Sequence, residues 1–212
     1  VAQMPLVEII RGAQSREDEV RKGCAFVTAI DKFPLIVKSS PGFLVNRVLA
    51  PYMMSAMQRL ERGEAAELLD EAPRTFGMPM GPIELADTVG LDVCAHVGRI
   101  LGYQAEGSRL ERLVTAGKLG KKSGEGFYVW KDGKPVKTEK PYDKPLLERL
   151  GRELVEPLIQ ECEKCRDEGI VDNADLVDAG VIFGTGFAPF RGGPLHYRAS
   201  TGAPAVAQQA AE

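Results

Sequence analysis

The feature that most restricts how this chain can fold is that its helical part is written twice. A long amphipathic stretch from Arg47 to Gly63 carries Pro51 near its start and is followed by Leu69-Asp70 and Gly77-Met78-Pro79-Met80-Gly81-Pro82. A second stretch, Arg152 to Gly169, has Pro157 at the matching place. It is followed by Val177-Asp178 and Gly186-Phe187-Ala188-Pro189-Phe190-Arg191-Gly192-Gly193-Pro194. The period, roughly 105 residues, is too long for a solenoid repeat and fits two copies of one small helical domain. Each copy has an apolar face in need of a partner, so the two are expected to superpose and to pack across a pseudo-two-fold interface.

What precedes the repeat is different in kind. Pro5 to Ile10 reads as a strand, Ser15 can cap a helix running to Ile30 with Asp18 as its acidic partner, and Phe33 to Val37 reads as a second strand. Strand, helix, strand is the tail of an α/β unit, and two strands alone make a sheet with too few neighbours. The chain also opens on Val1 without Met, inside what looks like a strand, as expected of a segment removed from a longer protein. A long helix is then expected over Phe43 to Glu61, with shorter ones at Ala65 to Thr75, Gly81 to Val89, Leu91 to Leu101 and Ser108 to Ala116. Gly117 to Tyr128 is a glycine-punctuated loop leading into a hairpin at Asp132-Gly133, and a second helical unit begins near Pro145.

At 212 residues and 44% hydrophobic, the chain can bury a core. A net charge of -3, with 27 basic and 30 acidic residues interspersed, leaves no basic tract for nucleic acid. No apolar run is long enough to span a membrane, and the first residues lack the pattern of a signal peptide. The four cysteines are too few and too irregular for a disulfide framework, so a reducing cytoplasm is expected, with a peroxisome or mitochondrial matrix equally consistent with the pattern.

Glu8 interrupts an apolar strand. It either turns to solvent by strand alternation or is a carboxylate held by a fixed partner. Asn46 and Arg47 fall in the first turn of the long helix, where a sheet hands over to a helical domain; Asn46 can serve a ligand or satisfy helix-end amides, and Arg47 can form a surface or hinge salt bridge. His96 and His196, the two histidines, are expected to be packed or half-exposed structural residues. Cys162-x-x-Cys165 has the spacing of a metal or redox pair, but it lies within a helical pattern without further ligands, so core packing is expected and no metal. Lys118, Lys121 and Lys122 can hold an anion in a glycine-rich turn or form a solvated loop. No G-x-G-x-x-G follows a strand, so the chain by itself cannot build a dinucleotide-binding turn.

Four segments in order carry a resemblance: Met4-Pro5-Leu6-Val7-Glu8-Ile9-Ile10, Ser40-Pro41-Gly42-Phe43-Leu44-Val45-Asn46-Arg47, Gly77 to Pro82, and Gly120-Lys121-Lys122-Ser123-Gly124-Glu125-Gly126-Phe127-Tyr128. Together they resemble the 3-hydroxyacyl-CoA dehydrogenase family. The second helical copy is similar to that of multifunctional fatty-acid oxidation proteins. The resemblance implies a mainly α fold: two related dehydrogenase C-terminal helical domains (41–135 and 145–205) after a short α/β remnant of the NAD-binding Rossmann domain (1–40). It implies part of an NAD-dependent (3S)-3-hydroxyacyl-CoA dehydrogenase of β-oxidation, whose parent binds acyl-CoA, carries an enoyl-CoA hydratase region and associates with a thiolase subunit. The alternatives are a short-chain 3-hydroxybutyryl-CoA dehydrogenase and a non-catalytic helical association module.

In that family a histidine takes the proton of the 3-hydroxyl while hydride passes to NAD. Glu8 matches the glutamate that orients this histidine, which would lie upstream of Val1. Asn46 matches an asparagine near the reacting oxygen, and Lys122 matches a lysine that reaches the nucleotide. Phe183 takes the place of a substrate-contacting tyrosine and lacks its hydroxyl. The isolated segment is accordingly expected to bind no NAD and to be inactive.

Overall fold

The computed structural model describes residues 4–103, 107–138 and 140–202. The protein is mainly helical and divides into two compact units, one made of Val1–Val48 with Glu156–Glu212 and the other of Leu49–Val155.

In the first unit, strands β1 (Leu6–Arg11) and β2 (Phe33–Lys38) pair in parallel, Leu6 opposite Phe33 and Glu8 opposite Leu35, with helix α1 (Glu17–Ala29) between them in sequence. Alternation divides the sheet into two faces. Ile9 meets α1 at Gly23, while Leu6, Leu35 and Val37 are buried on the opposite face, the face that Glu8 shares by parity. Glu8 is therefore not on a solvent-facing side of the sheet.

That second face is covered by α8 (Ala174–Thr185). The helix approaches closely because it carries glycine at the contacts. A Cβ at Gly180 would stand 2.5 Å from Leu35 and 2.8 Å from Leu44, and one at Gly184 would stand 2.5 Å from Val45 and 2.9 Å from Leu6. The first unit also holds the start of α2 (Val45–Glu61) and the end of α7 (Lys144–Asp167), where Leu158, Ile159, Cys162 and Cys165 are buried.

Three local expectations change. Ser15 does not cap α1; its Oγ accepts from Gly12 N at 2.9 Å, Arg16 occupies the cap position, and Glu17, Asp18 and Glu19 favour the positive helix end instead. Helix α2 begins at Val45, not Phe43, because Gly42 (φ 77°) and Phe43 (φ 52°) turn through the left-handed region first. The second long helix starts at Lys144, well before Arg152.

The second unit contains α3 (Ala66–Phe76), α4 (Pro82–Val89), α5 (Leu91–Ile100), α6 (Arg109–Thr115) and the hairpin β3 (Val129–Lys131) and β4 (Lys134–Val136), turning at Asp132 (φ 50°) and Gly133 (φ 72°) as a two-residue hairpin requires. Two buried aspartates organise it. Asp70 of α3 accepts from Ile83 N at 2.8 Å and Glu84 N at 3.2 Å, capping α4 from outside. It also accepts from Tyr128 OH at 2.6 Å and Lys137 Nζ at 3.1 Å. Asp87 accepts from Phe127 N, Tyr128 N and Trp130 Nε1, each at 2.9 Å. Gly120 and Gly126 close against Asp87 so tightly that a Cβ at either would overlap it, which explains the glycine-rich loop in structural terms.

The first unit repeats the Asp70 device. Asp178 of α8 accepts from Leu195 N at 2.7 Å and His196 N at 3.0 Å, capping α9 (Pro194–Thr201), and Gly193 lies against Asp178 as Gly81 lies against Asp70. In each case a proline opens the capped helix, where its missing N–H costs nothing.

Candidate active site

Glu8 sits mid-strand with its carboxylate pointing at the entry to α2. Oε1 accepts from Leu44 N at 2.8 Å and from Val45 N at 3.4 Å. These are amides that a helix leaves without internal partners, and an anion at that end also meets the positive pole of the helix. Among the described residues, Oε2 accepts no hydrogen bond. Burial pushes the Glu8 carboxyl above its ordinary value, and the two amide bonds pull it back in part. The group is thus half-buried, fixed in direction and equipped with one free acceptor oxygen.

Asn46 follows the two bonded amides directly and is exposed in the first turn of α2. The next residue, Arg47, is only 16% exposed and is fully engaged: Nε donates to Glu161 at 2.8 Å, and Nη1 and Nη2 donate to the two oxygens of Glu168 at 2.7 and 2.8 Å. Phe183 of α8 is partly exposed, its ring 5.2 Å from that of Phe33 and tilted by 50°. Since Phe33 opposes Leu6 and the adjacent Gly184 touches Leu6 and Val45, Phe183 borders the same strand and helix end as Glu8.

Lys122 belongs to the second unit. It lies in a short 3-10 turn, Lys121–Ser123, half-exposed, with Nζ on Asp92 of α5 and its stem passing over Gly90. The Lys122 hydrogen bond holds the Asp92 carboxyl below its ordinary value. Lys118 pairs with Glu125 across the same loop.

Both histidines are exposed, contrary to the packed or half-exposed setting expected of them. His96 projects from the outer side of α5, and the backbone of His196, not its ring, is bound by Asp178. Neither bonds to Glu8. Cys162 and Cys165 are both buried in α7, and among the described residues no group of side chains could hold a metal ion. The sequence marks Asp70 and Asp178 as repeat positions without revealing them as caps; an Asp on a buried face followed by Gly-Pro in both copies is the available signal. Nothing near Arg47 in sequence points to Glu161 or Glu168.

A carboxylate aimed at the head of a long helix and a glycine-rich loop closed on a buried aspartate are matched by a likeness to known proteins. Residues 42–130 match the family 3-hydroxyacyl-CoA dehydrogenase, C-terminal domain. The chain carries a domain of this family at those residues. The chain is 39% identical over 227 residues to the fatty acid oxidation complex subunit alpha of Pseudomonas syringae pv. tomato, covering 95% of the chain and 31% of that protein. It is 38% identical to the corresponding subunit of Vibrio cholerae, covering 95% of the chain and 30% of the relative. The chain therefore spans about a third of the curated relatives it matches. Among solved structures, 3-hydroxybutyryl-CoA dehydrogenase from Escherichia coli superposes with a TM-score of 0.76 at 25% identity, over 94% of this chain and 61% of that one. No helix among the described residues is long and apolar enough to cross a membrane.

Proposed function

We propose that the chain supplies the substrate-side half of the active site of an NAD-dependent (3S)-3-hydroxyacyl-CoA dehydrogenase of fatty-acid β-oxidation. The observation that carries this reading is the Glu8 carboxylate, with one oxygen committed to the amides of Leu44 and Val45 and the other free. A histidine from the parent protein, placed on Oε2, would have its tautomer fixed and its imidazolium stabilised as it takes the proton of the 3-hydroxyl. NAD, when bound, supplies the acceptor for the hydride leaving C3. Asn46, exposed at the head of α2, donates its amide to the substrate oxygen as the carbon changes from hydroxyl-bearing to carbonyl. Phe183 offers an apolar wall beside the acyl group. Lys122 fits a nucleotide oxygen because its ammonium is half-exposed and already directed to an anion, Asp92.

The domain assignment follows the same reading. Residues 1–40 are the tail of the NAD-binding domain, and 41–135 and 145–205 are two related helical domains. The paired caps, Asp70 with Gly81-Pro82 and Asp178 with Gly193-Pro194, support a common origin. The likeness to subunits of a fatty acid oxidation complex supports a parent that works in a multisubunit assembly; the hydratase region, the thiolase partner and the cytoplasmic location are proposed from the family resemblance.

A second reading, a short-chain 3-hydroxybutyryl-CoA dehydrogenase, is favoured by the superposition over 94% of the chain. Turnover of a series of 3-hydroxyacyl-CoA substrates by the complete parent protein, read by nicotinamide absorbance, separates the two. Activity that persists from four to sixteen acyl carbons, roughly, supports the β-oxidation enzyme; activity confined to the shortest supports the second. No oxidation of any chain length rejects both.

A further inference from the structure

Four successive residues, Leu44 to Arg47, contain three that are held by groups far away in the sequence, and among the described residues the Asn46 side chain makes no hydrogen bond. Glu8 fixes the amides of Leu44 and Val45. That contact sets where α2 begins, but a helix pinned only at its end can still rotate about its axis. Consecutive residues of a helix point about 100° apart, so the direction of one side chain is fixed once its neighbour is anchored. Arg47 provides that anchor, with its fork on Glu168 and its Nε on Glu161.

We propose that Arg47, through Glu161 and Glu168, is a positioning residue that sets the direction of the Asn46 amide toward the reacting oxygen. This rests on the reading of Asn46 given above. A guanidinium suits such a role because two parallel N–H groups on one carboxylate define a plane, whereas an ammonium defines only a point. Arg47 and Glu161 are both mostly covered, so water does not readily replace that pair, while Glu168 closes the fork from the half-exposed side. The catalytic competence of the first helical segment then depends on two carboxylates of the second. Their spacing has a reason as well: Glu161 in α7 and Glu168, the first residue after it, stand seven residues apart, where one guanidinium can reach both.

A double-mutant cycle in the complete parent enzyme tests this. Asn46→Ala, Arg47→Met, Arg47→Lys and Glu168→Gln, with Asn46→Ala/Arg47→Met, are compared for kcat, KM for NAD and thermal midpoint. Misdirecting the amide should lower kcat roughly ten- to a hundred-fold in Arg47→Met, with smaller losses in Arg47→Lys and Glu168→Gln, and leave KM for NAD unchanged. In the Asn46→Ala background, Arg47→Met should cost less than about two-fold more, because its effect acts through an amide no longer there. If Arg47→Met fails to fold, Arg47→Lys and Glu168→Gln, each also combined with Asn46→Ala, carry the cycle. Additive losses, or parental kcat in the Arg47 and Glu168 variants while Asn46→Ala is impaired, overturn the positioning role and leave the assignment of Asn46 intact. Parental kcat in Asn46→Ala overturns the assignment and the inference together.

Discussion

Asp87→Ala should uncouple the glycine-rich loop from α4. The carboxylate is completely buried and accepts three hydrogen bonds at 2.9 Å, from the amides of Phe127 and Tyr128 and from the Trp130 indole. Removing it leaves three donors facing a small void. At about 1–3 kcal/mol for each buried donor left unmet, and with water re-entering to satisfy part of them, a loss of about 4 kcal/mol is expected. With a urea dependence of about 2 kcal/mol per molar, the midpoint should fall by roughly 2 M. Trp130 is the only tryptophan of the chain, so its fluorescence reports the affected region directly. Asp87→Asn retains one oxygen but turns an NH₂ toward at least one donor, and should lose about half as much. An Asp87→Ala chain that unfolds at the parental urea concentration with unshifted Trp130 emission would refute the idea that this carboxylate closes the loop.

Three other outcomes follow from burial and from what the chain contains. Burial pushes the Cys165 thiol up to about 12 and Cys162 well above its usual range. Both should resist a disulfide reagent at pH 8 while half-buried Cys24 reacts, and all should react once unfolded; rapid labelling of Cys162 and Cys165 in the folded chain would contradict the packing. Because folding favours the neutral thiol, the stability associated with Cys165 is fully present below the ordinary thiol value of 9.0 and declines as pH rises from there through about 12; alkaline melts of a Cys165→Ala variant should lose less than the parent, the Cys162 thiol keeping its own share. The isolated chain should show neither heat on titration with NAD nor oxidation of 3-hydroxyacyl-CoA, since Lys122 alone is no nucleotide site. Turnover by the pure segment would contradict this.

Much of the fold is legible in the sequence because it is local. The strand, helix, strand opening, the helices of the second unit and the Asp132-Gly133 turn all follow from periodicity and turn chemistry in short windows. The helix ends are less legible, since their caps come from elsewhere. The start of α2 is held by Glu8, 36 residues upstream, and α4 and α9 are capped by aspartates on preceding helices. The first two turns of α7 do carry helical spacing, with Leu146, Leu147 and Leu150 on one side, and Pro145 stands where a first turn tolerates it, so this start is legible in the sequence. The position of Glu8 on the covered face cannot be read from alternation, because a two-stranded sheet gains its buried face only when α8 packs on it. The Arg47 fork spans 114 and 121 residues and leaves no signal in sequence at all.

The proposed chemistry depends most on Glu8, and steady-state kinetics of Glu8→Gln in the complete parent enzyme test it most directly. Glutamine preserves the acceptor that holds Leu44 and Val45 and so should leave α2 and the thermal midpoint nearly unchanged. It removes the negative charge that stabilises the imidazolium. The expected result is a fall in kcat on the order of 10²-fold or more with little change in KM, and an altered pH profile as the base loses its counter-charge. A folded Glu8→Gln enzyme with parental kcat and parental pH dependence would show that Glu8 only caps a helix, and the proposed site would be wrong at its centre.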